Sequence, residues 1–319
     1  MGISMIGAAL VAALALPQDA AATPLPQEPP AGTVRLEDIV VDHRRLGDAV
    51  RDFVGEVGAP PRRRGLARWQ DALCVGVVNI RRDIGQALAD RISRVGLDLG
   101  LEIAEPGCTA NVLIVFAEDG AALADAMVAE HRRAFRIGIG GVDRGNPALR
   151  DFRTADRPVR WWHVSVPVDS ESGKIAVRMP GDVDPVTGNP VAPVIFVFAA
   201  SRLTSQIRDE LNKAVIVVDV DDVEGVNLAQ LADYLAFVSL AQVDPDGDTS
   251  SFDTVLNLFD NPAAVDGLTE WDRTYLTSLY RVGGGPVRRI NPHAQATTMA
   301  NDMARRWRAQ QTATETESD

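Results

Sequence analysis

The residue types that most often perform chemistry are few and scattered in this sequence. The four histidines lie far apart, at His43, His131, His163 and His293. A metal site needs three or four convergent ligands, and no spacing here places a second histidine or a cysteine at a suitable offset. A serine hydrolase would need a G-x-S-x-G turn, which the sequence lacks. The sequence therefore predicts no catalytic residue, no metal site and no bound cofactor.

Four residues remain as weak candidates for a functional site. His163 directly follows Trp161 and Trp162 in a segment with the composition of a β-strand. These two tryptophans, with the long segment 169–193, could line a ligand groove, although tryptophan and histidine in a strand are more often core residues. Asp233 is the fourth candidate, because it lies on the most apolar helix of the chain.

Two clusters of acidic residues follow predicted elements of the second half of the chain. Carboxylates at such spacings are found in glycosidases and in Ca²⁺ sites. Neither cluster fits the twelve-residue EF-hand pattern, so we interpret both as solvated turns and keep weak Ca²⁺ binding as an alternative. The clusters are Asp219, Asp221, Asp222 and Glu224, and Asp244, Asp246, Asp248 and Asp253.

Cys74 and Cys108 are the only cysteines of the chain. In an oxidising compartment they would form a disulfide. Such a bridge closes a loop of about 35 residues and contributes roughly 3–4 kcal/mol. The alternatives are two buried free thiols, or a nucleophile pair of Cys74 with a histidine; we favour the disulfide.

The stretch from Ala214 to Val243 predicts the element around which the fold is organised. A β-branched run from Ala214 to Val220 is typical of a buried strand. A helix then begins at about Leu228, where Asn227 can cap the first turn and Gln230 can complete a capping box. This helix has so little polar surface that we expect it to be buried.

The rest of the chain predicts one α+β domain. Its mixed sheet packs against the buried central helix, because strands such as Ala110–Phe116 and Val194–Ala199 alternate with helical patterns. We divide the chain into a signal peptide, a linker with an N-terminal helix, the α+β domain, and a C-terminal helix with a disordered tail. The respective ranges are 1–22, 23–65, 66–282 and 283–319.

Composition and the N-terminus indicate where the protein acts. The net charge of -12 makes nucleic acids and anionic membrane surfaces unfavourable partners. Met5–Leu16 is a short apolar segment that is followed by the small residues Ala20–Ala22, as in a secretory signal peptide. No other run is long enough to span a bilayer. We expect a periplasmic or secreted protein that is not an integral membrane protein.

Several short segments resemble an uncharacterised family of exported alphaproteobacterial proteins. The resemblance covers about residues 69–280, and its most specific part is Cys74 together with the Cys108-Thr109-Ala110-Asn111-Val112 segment. Pro158–Trp162, Ala232–Ala236 and Leu268–Asp272 also contribute. The family implies no established activity.

A weaker resemblance, at Leu268-Thr269, Asp272 and Leu279-Tyr280, is to a zincin-like secreted domain of unknown function. A zincin metalloprotease needs H-E-x-x-H on the central helix, where this chain has no histidine.

We therefore predict an exported protein that acts as a non-catalytic binding or envelope-associated module, with an envelope protein or a small ligand as partner. The alternative is a hydrolase on a zincin-like scaffold, in which His163, Asp233 and the acidic turn would be the candidate groups.

Overall fold

The computed structural model describes residues 36–60, 64–135, 144–169, 172–176, 186, 188, 207–282 and 292–317. The chain divides into two compact units, Met1–Asp42 and His43–Asp319. Of the first unit the described residues, 36–42, form the start of a helix. All contacts reported below belong to the second unit.

A four-stranded mixed sheet forms the centre of the domain. Its order is β1-β2-β4-β3; β1, β2 and β4 run parallel, and β3 is antiparallel to β4 at one edge. The strands are β1 (Val75–Val78), β2 (Val112–Ala117), β3 (Val159–Asp169) and β4 (Ile207–Asp219).

Helices lie between and after the strands, and a single 3₁₀ turn spans Val255–Asn257. The α-helices are α1 (Leu36–Val57), α2 (Arg82–Asp98), α3 (Gly120–Glu130), α4 (Arg132–Phe135), α5 (Asn146–Thr154), α6 (Leu228–Leu240), α7 (Glu270–Val282) and α8 (Pro292–Glu317). This content, with the mixed sheet, confirms the α+β class.

Helices cover both faces of the sheet. Side chains alternate between the faces along a strand, so on β4 Ala214, Ile216 and Val218 join a large core with α1, α2, α6, α7 and α8. Val215 and Val217, on the opposite face, join a smaller core with α3 and α5. We call these the α6 face and the α5 face.

Helix α6 confirms the prediction of a buried central element. Every side chain from Gln230 to Leu240 is buried. The capping box is formed as predicted, because the Asn227 side chain accepts from the backbone N–H of Gln230 and the Gln230 side chain accepts from that of Asn227. Gln230 also donates to the carbonyls of Pro262 and Val265, which ties the start of α6 to the following loop.

The N-terminal helix lies in the core, whereas we predicted that the domain begins at residue 66. Val50, Phe53, Val54 and Val57 are at most 2% exposed and belong to the large core. The apolar side chains of this helix recur at helical spacing, and Phe53 packs against the rings of Trp271 and Tyr275 on α7. Val57 at the end of this helix and Leu66 at the predicted start of the domain belong to the same core.

The C-terminal helix α8 continues to Glu317, into the segment that we predicted to be a disordered tail. Met299, Ala300, Met303 and Ala304 are buried at helical spacing, and Trp307 packs edge-on against Trp271 with ring centroids 5.0 Å apart. This apolar contact anchors the helix.

Two predicted segments, the signal peptide 1–22 and the strand Val194–Ala199, lie outside the described residues. Within the segment Phe252–Phe259 the only helical residues are those of the short 3₁₀ turn, Val255–Asn257.

Candidate functional site

The candidate residues Trp161, Trp162 and His163 lie on β3, an outer strand of the sheet, and are buried. Both indole N–H groups are used within the protein. Trp161 donates to the carbonyl of Val243 at 3.0 Å, on the α6 face, and Trp162 donates to the carbonyl of Phe135 at 3.0 Å, on the α5 face. The two rings therefore fasten the edge strand to both layers of the domain.

A cavity lies beside these residues, between α5, β3 and the segment that follows α6. It holds about 440 Å³ of space including its open mouth, of which about 20 Å³ is wide enough for water molecules, room for one or two of them. Its lining contains three arginines and one carboxylate among apolar and amide side chains. The lining residues are Arg144, Ala148, Asp151, Phe152, Ala155, Arg157, Arg160, Trp161, Trp162, His163, Gln242, Val243 and Pro245.

The imidazole of His163 is held as a neutral packing group. Its Nε2 lies 2.8 Å from the carbonyl oxygen of Val238 on α6. Burial lowers the pKa of His163 to about 4, so the ring is neutral at pH 7. A carbonyl only accepts hydrogen bonds, which places the single ring proton on Nε2. His163 therefore orients β3 against α6, and its Nε2 has no lone pair available to accept a proton.

Two of the three cavity arginines are paired with carboxylates. One terminal nitrogen of Arg144 donates to both oxygens of Asp244, at 2.9 and 2.8 Å. Arg157 pairs with Asp246 and lies 3.4 Å from Asp151. The second acidic cluster thus supplies partners for arginines, a role that the sequence pattern did not indicate.

The third arginine, Arg160, is 3% exposed, and its Nε atom has no hydrogen-bond partner. One terminal nitrogen lies 3.5 Å from the carbonyl of Phe152, at the limit of a hydrogen bond. Burial lowers the pKa of the Arg160 guanidinium, and the nearby carboxylates Asp219, Asp119 and Asp156 oppose that effect. An arginine remains charged in proteins, so a cation lies largely desolvated beside the cavity.

Asp233, the fourth candidate, does not line the cavity. Its carboxylate accepts from the backbone N–H of Leu268 at 2.9 Å and pairs with Arg91 on α2. Gly267 makes this approach possible, since a Cβ there would lie 2.4 Å from the Asp233 carboxylate. Asp233 therefore fixes the loop before α7 to the central helix.

The acidic clusters were also predicted, as an alternative, to bind Ca²⁺. Within the described ranges, no group of three or more histidine, cysteine, aspartate or glutamate side chains is placed to hold a metal ion. In the first acidic cluster, Asp219 accepts from the backbone N–H of Gly120 at 2.8 Å, at the start of α3.

Cys74 and Cys108 form a disulfide, as predicted, with their Cα atoms 6.2 Å apart. The side chain of Asn111 holds the backbone beside the bridge. Its side chain accepts from the N–H of Cys74 at 2.8 Å and donates to the carbonyl of Ala72 at 2.9 Å. The bridge and this amide together fix the start of β1 beside the start of β2.

Sequence reasoning missed the three arginines of the cavity as candidate residues. The available signal was Arg160 itself, because a charged side chain interrupts an otherwise apolar segment from Val159 to Trp162. A charge at a buried strand position is rare unless it is paired or functional. Arg144 and Arg157 gave no signal, since arginines near helix ends are common on protein surfaces.

Comparisons with known proteins found no match among family models, curated proteins or solved structures. In the helices that the structure describes, none combines the length and the apolar character needed to cross a membrane.

Proposed function

We propose that the protein is an exported, non-catalytic binding module that accommodates a small ligand at the cavity beside β3. The observation that carries this proposal is the lining itself, where the two tryptophans, a neutral histidine and three arginines meet around one small opening. Apolar walls with a few fixed polar groups are typical of ligand sites.

The fixed state of the lining supports binding more than catalysis. The indole groups and His163 are held by main-chain carbonyls, so the cavity is pre-organised. A hydrolase would need a general base or an activated nucleophile with a free lone pair. The pKa of His163, lowered to about 4 by burial, makes its ring a weak base at pH 7, and Asp233 is paired with Arg91 away from the cavity lining.

Export is supported by the disulfide and by the predicted signal peptide. A structural disulfide between the only two cysteines is typical of proteins that mature in an oxidising compartment.

The test uses mature protein isolated from its native compartment. We expect an N-terminus at Thr23, no reactive thiol before reduction, and two thiols after unfolding and reduction. An uncleaved N-terminus or free thiols in the native protein would contradict export. A thermal-shift screen of small metabolites should yield stabilising ligands, whereas turnover of ester, peptide or glycoside substrates that Arg160→Gln abolishes would contradict the non-catalytic proposal.

A further inference from the structure

The cavity lining is richer in arginine than the protein as a whole. The chain carries 44 acidic and 32 basic side chains, Asp and Glu against Lys and Arg. The cavity lining nevertheless contains three arginines and a single carboxylate, Asp151. Asp244 and Asp246 neutralise two of these arginines, so the place where a negative group is favoured is beside the third, Arg160.

The pairing of these arginines leaves one of them available. Arg144 and Arg157 have carboxylate partners, but Arg160 has none. Asp219 lies near Arg160 and opposes the lowering of its pKa, but it does not satisfy the Nε donor. Asp219 is itself bonded to the N–H of Gly120 and makes no ion pair with Arg160 among the described residues.

A buried cation with an unused donor is unfavourable, and an anionic ligand relieves it. A guanidinium binds carboxylate and phosphate oxygens through paired, charge-assisted hydrogen bonds. In an apolar surrounding such bonds are stronger than in water. The walls contributed by Phe152 and Trp162 supply that surrounding.

We infer that the cavity beside β3 binds an oxyanion, with Arg160 as its main contact and Arg157 and Arg144 as supporting cations. The inference rests on the proposed binding function and gives it a ligand class. The narrow part of the cavity admits about the volume of one or two waters. The occupant is therefore a small oxyanion, or the carboxylate or phosphate end of a larger ligand whose remainder lies in the open mouth.

Arg68 provides a matched control for Arg160. It is 4% exposed, its Nε also lacks a partner, and burial likewise lowers its pKa. Arg68 lies before β1, beside the charged residues Arg208 and Glu210, and does not line the cavity. A response that depends on Arg160 and not on Arg68 is therefore specific to the cavity.

The experiment measures the thermal midpoint Tm of the full mature protein in acetate, phosphate or chloride at equal ionic strength. Near ten times the dissociation constant, the bound oxyanion should raise Tm by about 2–4 °C over chloride. Arg160→Gln should abolish the rise and Arg68→Gln should retain it. If Arg160→Gln does not fold, Arg157→Gln, which changes a partly exposed side chain, should reduce oxyanion affinity roughly five-fold or more.

The outcomes separate the ligand class from the general function. A rise with acetate alone identifies a carboxylate, and a rise with phosphate alone identifies a phosphate group; either supports the inference. No rise over chloride, or an equal rise in Arg160→Gln, overturns it. A neutral ligand that stabilises wild type and Arg160→Gln equally would also overturn the oxyanion inference while leaving the proposed binding function intact.

Discussion

The buried charged side chains on the two faces of the sheet can be compared by their hydrogen bonds. On the α6 face, Asp233 and Asp272 are buried but accept hydrogen bonds from main-chain N–H groups and neighbouring side chains. On the α5 face, Arg160 is equally buried and keeps an unused donor beside a cavity. Buried polar groups are normally satisfied. Unpartnered buried donors also occur at Arg68, Trp271 and Tyr275, but of these residues only Arg160 lines the cavity, so we expect the binding group on the α5 face.

The two faces also differ in the size of their cores, of which the one on the α6 face is the larger. The α6 face holds the fully buried aromatic rings of Phe53, Tyr275 and Phe237, with contacts among them at 5.5 and 5.6 Å. On the α5 face, the rings of Phe152 and Trp162 are 6.1 Å apart and both line the cavity. We expect the larger core to dominate stability.

The largest effect should come from removing an aromatic ring from the α6 face. Phe53→Ala should lower the free energy of unfolding by about 3–5 kcal/mol, because its ring is fully buried. Phe152→Ala should lower it by about 1 kcal/mol less, because the site adjoins an existing cavity and can relax. Urea unfolding of the two variants checks this, and an equal or reversed order would contradict the comparison. A loss near zero for Phe53→Ala would contradict the packing of α1 in the core.

How far the sequence predicts this fold depends on the range of the interactions involved. The cap of α6 joins residues three apart, so Asn227 and Gln230 could be identified directly. The reciprocal contacts of Thr269 with Asp272 at the start of α7 were predictable for the same reason. The disulfide followed because only one pairing of two cysteines exists.

The cavity could not be predicted in this way. Its lining joins residues 144–163 with residues 242–245, and no local pattern indicates that these segments meet. The pairing of Arg144 with Asp244 and of Arg157 with Asp246 arises only when the two segments are adjacent. Contacts between segments distant in the sequence likewise determine that Arg160 is buried and that α1 packs against α7.

The second largest effect concerns pH and His163, on the α6 face. Its pKa in the folded protein is about 4, below the ordinary 6.5. The unfolded chain therefore binds more protons between pH 6.5 and pH 4, and folded stability falls as the pH is lowered through that window. The loss amounts to about 3 kcal/mol by pH 4.

The measurement compares wild type with His163→Gln, which retains an N–H donor for the Val238 carbonyl. Urea unfolding at pH 7, 5.5 and 4.5 should show that wild type loses more stability on acidification than the variant. Parallel pH profiles would mean that His163 is not held neutral against α6.

A smaller effect is expected at the helix caps of the two faces. Asn227→Ala removes the side-chain acceptor that caps the N–H groups of Ala229 and Gln230 on a buried helix, and should lower stability by about 1–2 kcal/mol. Asp119 caps α3 through one bond, to the N–H of Ala122, and Asp119→Ala should lower stability by about 0.5–1 kcal/mol. Differential scanning calorimetry of both variants checks the order, and a larger loss for Asp119→Ala would count against α6 as the rigid centre.

The most direct measurement of the central claim follows the five tryptophan side chains by NMR. The indole N–H signals of Trp161 and Trp162 report on the cavity, while those of Trp69 and Trp271 report on the α6 core away from it. The protein is titrated with acetate and with phosphate at constant ionic strength. We predict saturable shifts of the Trp161 and Trp162 signals, with Trp69 and Trp271 unchanged and with no shifts in Arg160→Gln. Unchanged Trp161 and Trp162 signals in both titrations, or equal shifts in all five, would contradict the assignment of the cavity as a binding site.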